Sequence, residues 1–314
     1  MPPMPADRPA AAAAATRAKG PWFWRSPHFL LVFTVLAWSG NFVVGRAVHA
    51  SVPPIALAFW RWFGALVLVI GFALPHLRRD WPVLWQRRWS LLLLSAFGVA
   101  AFNTCIYLGL QTTTAINALL LQSVMPVAIF AASFALFGER VSLAQLLGLL
   151  VSLVGVVVII SHGEPLALAE LGLNRGDAWV VAAVVAYALY SALLRRRPAV
   201  HPLSLVASTF AIGTAILLPL AIGERVAGRT AELEPATFLA IGYVAVFPSL
   251  LAYLAYNRGV ELIGANRAGQ FVHLMPAFGS LLAVLFLGET FHLFHAAGLA
   301  LIAAGIVLSS RRRL

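Results

Sequence analysis

The residues that could do chemistry in this chain are the polar ones set inside long apolar stretches. Trp38, Asn41, Phe42 and Gly45 share one face at helical spacing, and Asn103 and Tyr107 stand one turn apart. Asn117 and Gln122 precede Pro126, and Tyr187 and Tyr190 form another spaced pair. Tyr253, Tyr256 and Asn257 fall in one stretch, Gln270 and His273 in the next. Neutral amides suit a carboxylate or ammonium, and aromatic rings take an apolar side chain or a cation, so the set suits an amphipathic small molecule. The same amides also bond across packed helices, so each position reads either way; the set as a whole reads as the lining of a cavity.

Arg46 and Arg61 stand near the ends of the first two apolar stretches. Either could bind a substrate carboxylate, reach to the headgroups or satisfy helix carbonyls, and the structural role is favoured; Arg61, about two turns in, is the better binding candidate. His273 is the mid-stretch group that titrates near neutrality, and reads first as a neutral core histidine. Glu139 and Glu289 each precede an apolar stretch and read as helix caps. Glu289, His292 and His295 have metal-like spacing but no fourth ligand, so no metal is expected. Cys105 is the single cysteine, which excludes an internal disulfide. Phosphate-cradling Gly loops, nucleophile elbows and H-E-x-x-H are all missing from the sequence, so neither an enzyme nor a cofactor is expected.

The elements that position these residues are set by composition. Of 314 residues 61% are hydrophobic and 11% charged, against about 25% charged in soluble domains. This implies an all-α membrane protein: a span needs about 20 apolar residues, and helices satisfy their own backbone in lipid. Ten runs qualify: 28–48, 54–75, 89–110, 114–137, 143–161, 176–194, 203–223, 236–257, 266–288 and 292–310. Residues 1–27, rich in Ala and Pro, read as a disordered cytoplasmic tail, without the features of a cleaved signal peptide. Seventeen of the 22 Lys and Arg fall on the side of the termini if ten runs span, and Arg175, Arg225 and Arg229 fall opposite. The positive-inside rule then makes both termini cytoplasmic and the location the plasma (inner) membrane. The net charge of +11 is an orientation signal, and no nucleic-acid partner is expected.

The chain also repeats itself. "MPVAIFAASFALFGE" at 125–139 is answered by "MPAFGSLLAVLFLGE" at 275–289. At the same offset of 150 residues Gly148 and Gly155 match Gly298 and Gly305. Two halves, 28–161 and 172–310, of five spans each would enter the membrane from opposite sides, as inverted repeats do in many secondary transporters. Pro126 and Pro276 read as paired mid-helix kinks beside a central cavity, and so as hinges.

With "AWSGNFVVGR" (37–46), "PPIALAFWRWFGAL" (53–66), the two Met-Pro…Gly-Glu stretches and the Gly-spaced last span of each half, the chain resembles the drug/metabolite transporter superfamily, and within it the EamA-type ten-helix exporters. That resemblance implies export of small metabolites, often amino acids, through a cavity lined by spans 1, 3, 4, 6, 8 and 9. Small multidrug exporters of the superfamily carry a glutamate in the first span where this chain has Asn41 and its neighbours, which disfavours a proton antiporter built on such a group. The expectation is a secondary transporter of amino acids, aromatic ones among them, working in the bilayer and compatible with a monomer. An exporter of cationic drug-like compounds is the second reading, and a non-transporting scaffold the third.

Overall fold

The computed structural model describes residues 21–164, 174–231, 234–287, 290 and 292–310, and among these the regular structure is all helix, with no strand. The tail 1–20, the segment 165–173, Gly288 and Glu289, and the Arg46 side chain lie outside the described residues. After one turn at Trp22–Arg25 come α1 (Pro27–Ala47), α2 (Pro54–Gln86) and α3 (Arg88–Gly109). Then follow α4 (Ala115–Gln122), α5 (Met125–Phe137) and α6 (Leu143–Ile160). The second half begins with α7 (Arg175–Leu193), α8 (Pro202–Val226) and α9 (Pro235–Ile263). It ends with α10 (Ala265–Gly269), which tightens into a 3₁₀ turn at Gln270–His273, then α11 (Leu274–Leu287) and α12 (Leu293–Ser310). Among the described residues, eight stretches are long and apolar enough to cross a membrane, the α4–α5 run among them. This is a multi-pass membrane protein.

Local sequence sets the helix ends. Ser142 and Gln145 form a capping box at α6, and Asn174 and Asp177 form another at α7. Glu139 was expected to cap α6; the cap is Ser142, and Glu139 pairs with Arg195 at 3.6 Å instead. Two prolines at the start of α2 leave its first amides unpaired by any local side chain. The buried Glu224 of α8 supplies the acceptor, taking Ala56 N–H at 2.7 Å and Ile55 N–H at 3.4 Å. Gly138 ends α5 at φ +65°, where a side chain would be strained.

Three features recur between the halves. α3 contains a π-helical turn at Ser95–Ala101 and α9 another at Ala245–Leu251, 150 residues apart at both ends. The run at α4–α5 breaks at Ser123–Val124, and the α10–α11 run tightens at Gln270–His273. α6 and α12 pack through glycines: a Cβ on Gly148 would stand 2.5 Å from Gly305 O, and one on Gly155 2.6 Å from Gly298 O. These helices touch backbone to backbone, as small residues permit in lipid.

The break corrects the reading of Pro126 as a mid-helix kink. α4 stops at Gln122, and Pro126 sits in the first turn of α5. A proline there loses no helical hydrogen bond, because first-turn amides lack intrahelical partners anyway. Pro276 likewise lies in the first turn of α11.

Candidate functional site

The site forms where α1, α2, α3 and the α4–α5 break meet. Arg61 of α2 is 1% exposed, and among the described residues it pairs with no carboxylate. Its Nε donates to Ser249 Oγ at 2.8 Å. Its Nη1 reaches Asn41 Oδ1 at 3.1 Å, Asn103 Oδ1 at 2.7 Å and Tyr107 OH at 2.7 Å. Tyr107 OH donates in turn to Asn41 Oδ1 at 2.8 Å. The guanidinium lies 4.8 Å from the Trp62 ring centroid. A buried cation held only by neutral acceptors keeps most of its field, since nothing nearby cancels it. Arg61 is therefore neither at the headgroups nor serving helix carbonyls.

The network orients what faces the cavity. Asn41 and Asn103 give their oxygens to Arg61, which leaves the Nδ2 of Asn103 without a partner among the described residues, as is Nε2 of Gln122. These three amides line a small cavity with Trp38, Phe42 and Met275. Its free volume is about 10 Å³, which holds roughly one water. Its walls are largely apolar and offer hydrogen-bond donors.

An aromatic cluster adjoins the cavity through Trp38 and Phe102. Trp38 packs against Tyr187 at 5.3 Å and Tyr256 at 5.2 Å, and Phe102 against Tyr187 at 4.5 Å. Tyr190 and Tyr253 stack into the same cluster, 5.7 Å apart. Tyr253 OH donates to Gly98 O in the π-turn of α3, and Tyr190 OH donates to Asn257 Oδ1 at 2.6 Å. Such pairs add to plain burial, and their hydroxyls find partners when enclosed; Tyr187 OH is the exception, with none among the described residues.

Gln270 and His273 are fully buried but bond beside the cavity. Gln270 Nε2 donates to Gln145 O at 3.2 Å. His273 Nε2 lies 2.8 Å from Ser123 O, a pure acceptor, so this nitrogen carries the proton; Nδ1 lies 2.6 Å from Ser152 Oγ. His273 thereby joins the α10–α11 run to the α4–α5 break. Asn117 is buried near the start of α4. His292 and His295 are engaged locally, His292 N–H donating to His295 Nδ1 at 3.0 Å. No group of metal ligands occurs among the described residues. Sequence reasoning missed Ser249, one serine among many, whose role depends on the π-turn that carries it. It also missed the apolar wall of Phe102, Ile106 and Met275, which composition cannot tell from lipid-facing residues.

The EamA-like transporter family matches residues 25–161 and 174–311, and the chain belongs to that family. It is 26% identical to the uncharacterized transporter YyaM of Bacillus subtilis, over 90% of this chain and 92% of that one. It is 30% identical to the uncharacterized inner membrane transporter YicL of Salmonella typhimurium, over 80% and 84%. A probable amino-acid metabolite efflux pump of Salmonella typhimurium is 26% identical over 91% and 95%. A crystal structure of a protein 21% identical matches with a TM-score of 0.71 over 90% of this chain and 95% of that one, a likeness of fold.

Proposed function

We propose that this protein exports small carboxylate-bearing metabolites, amino acids first among them and aromatic ones included, by alternating access. The observation that carries this reading is the donor-lined cavity backed by the uncompensated Arg61. A carboxylate accepts from amide N–H groups and is drawn by a buried positive charge, whereas a cation is repelled by it. The aromatic cluster beside the cavity suits a ring or apolar side chain. The name of the Salmonella typhimurium efflux pump agrees with this substrate class.

In this reading the α10–α11 run and α12 also cross the bilayer, giving ten spans in two inverted five-helix repeats. The paired π-turns and the reciprocal contacts, Gly148 with Gly305 and Gly155 with Gly298, support a pseudo-twofold relation. So does the His273–Ser123 bond, which joins residues 150 apart and so equivalent positions of the two halves. An equal pair of repeats gives inward-open and outward-open states of similar energy. The Lys and Arg distribution supports cytoplasmic termini in the plasma (inner) membrane.

The experiment is efflux from liposomes loaded with tyrosine or with tyramine, which lacks the carboxylate. Tyrosine efflux with little tyramine efflux is expected. Preference for tyramine would establish the cationic reading, and movement of neither ligand nor a panel of other amino acids would overturn the substrate class.

A further inference from the structure

The Arg-rich end of α2, the start of α3 and the first turns of α8 enclose a crevice of about 360 Å³, within the range of sites that hold small ligands, roughly 300–1,000 Å³. Its walls are Leu77, Trp81 and Trp85 on one side and Ala211 and Ile212 on the other, and Arg88 borders it. α2 has 33 residues, a rise of about 50 Å against a hydrocarbon core of about 30 Å, so its last turns reach the headgroup level. Trp81 and Trp85 there, and Trp89 at the start of α3, recur at four-residue spacing and are 59%, 60% and 67% exposed. Exposed tryptophans at such spacing mark a membrane interface.

The charge around the crevice is mostly positive. Arg78, Arg79, Arg87 and Arg88 are all exposed. Asp80 is the sole carboxylate between residues 70 and 95, and it accepts the His201 N–H at 2.9 Å. Arg88 lies over Trp85 at 5.5 Å and Trp89 at 5.9 Å, and its Nη1 donates to Trp85 O at 3.3 Å. This holds the guanidinium beside the crevice with donors to spare.

We propose that the crevice binds an anionic phospholipid, with an acyl chain along the apolar walls and the phosphate at Arg88. A zwitterionic lipid would fill the walls equally but would set its ammonium among the arginines. The occupant would touch α2 of one half and α8 of the other, and so would brace the junction between them.

The test is native mass spectrometry of the purified full chain with phosphatidylglycerol and phosphatidylcholine in equal amounts. The wild type should retain phosphatidylglycerol in preference. Arg88→Gln, at an exposed position, should cut that preference about fivefold, the worth of one surface arginine. Ala211→Phe should fill the crevice and lose both lipids. Equal retention of the two lipids, undiminished preference in Arg88→Gln, or a wild-type dimer dispersed by Ala211→Phe would each overturn the proposal, the last by naming a second copy of the chain as the occupant. None of these outcomes bears on the substrate, which liposome efflux reads separately.

Discussion

Arg61 is the buried charge of the candidate site, and with no carboxylate paired to it among the described residues its contribution is measurable. Replacing it with Gln removes a desolvated charge, which relieves several kcal/mol of burial penalty, while leaving Asn41, Asn103, Tyr107 and Ser249 short of a donor. These two effects offset, so Arg61→Gln should melt within a few degrees of the wild type. The amides should meanwhile turn freely, and the field at the cavity should vanish. Amino acids that raise the melting temperature of the wild type should fail to do so in Arg61→Gln, with an affinity loss of about tenfold or more. An unchanged thermal shift would remove Arg61 from recognition. Asn41, Asn103 and Tyr107 were legible as candidates because polar groups inside apolar runs are costly and so carry meaning. What they bond to was not legible, since Arg61 reaches them across 20, 42 and 46 residues of chain.

The apolar runs gave the helices, because span length and hydropathy act locally along the chain. Interruptions within a run were less visible. The π-turns of α3 and α9 carry no proline-and-glycine signature in common: Ser95–Ala101 holds Gly98, and Ala245–Leu251 holds Pro248. The break before α5 was read from Pro126 as a bend, whereas the chain stops the helix and restarts it with the proline in the first turn. Spaced glycines were the better guide, since only they allow the approach of α6 to α12. Gly155→Ala would put a methyl 2.6 Å from Gly298 O and 2.9 Å from Ile302. The helices must move apart, at a cost of about 1–3 kcal/mol, and the melting temperature should fall. Gly71→Ala, which meets nothing within 4 Å, should hold or raise it. Equal behaviour of the two variants would show that the glycine seam is not a tight contact.

At the scale of the molecule two expectations concern sidedness. Both use a Cys105→Ser background. Ala227→Cys and Ala199→Cys are exposed positions at opposite ends of α8. With cytoplasmic termini, an impermeant thiol reagent outside intact cells should label Ala227→Cys and spare Ala199→Cys; the reverse pattern would invert the topology. The second concerns the balance between the two open states. Pro126 and Pro276 start α5 and α11 beside a cavity that touches both runs through Gln122, Met125, Val272 and Met275. Proline there forbids an amide donor to the carbonyl four residues back, so each run stays interrupted. Pro126→Ala supplies a donor toward Gln122 O and should favour one continuous helix, biasing one state; Pro276→Ala should do the same in the other half. If the halves are inverted repeats, the two biases oppose. A ligand's apparent affinity falls with the fraction of protein in the competent state, so each single variant should lose efflux at normal folded yield. The double variant should recover part of it. Efflux for all four proteins, with thiol labelling at the two α8 positions during turnover, decides the matter: normal efflux in both single variants, or accessibility shifted the same way in both, would mean that the prolines do not set the balance.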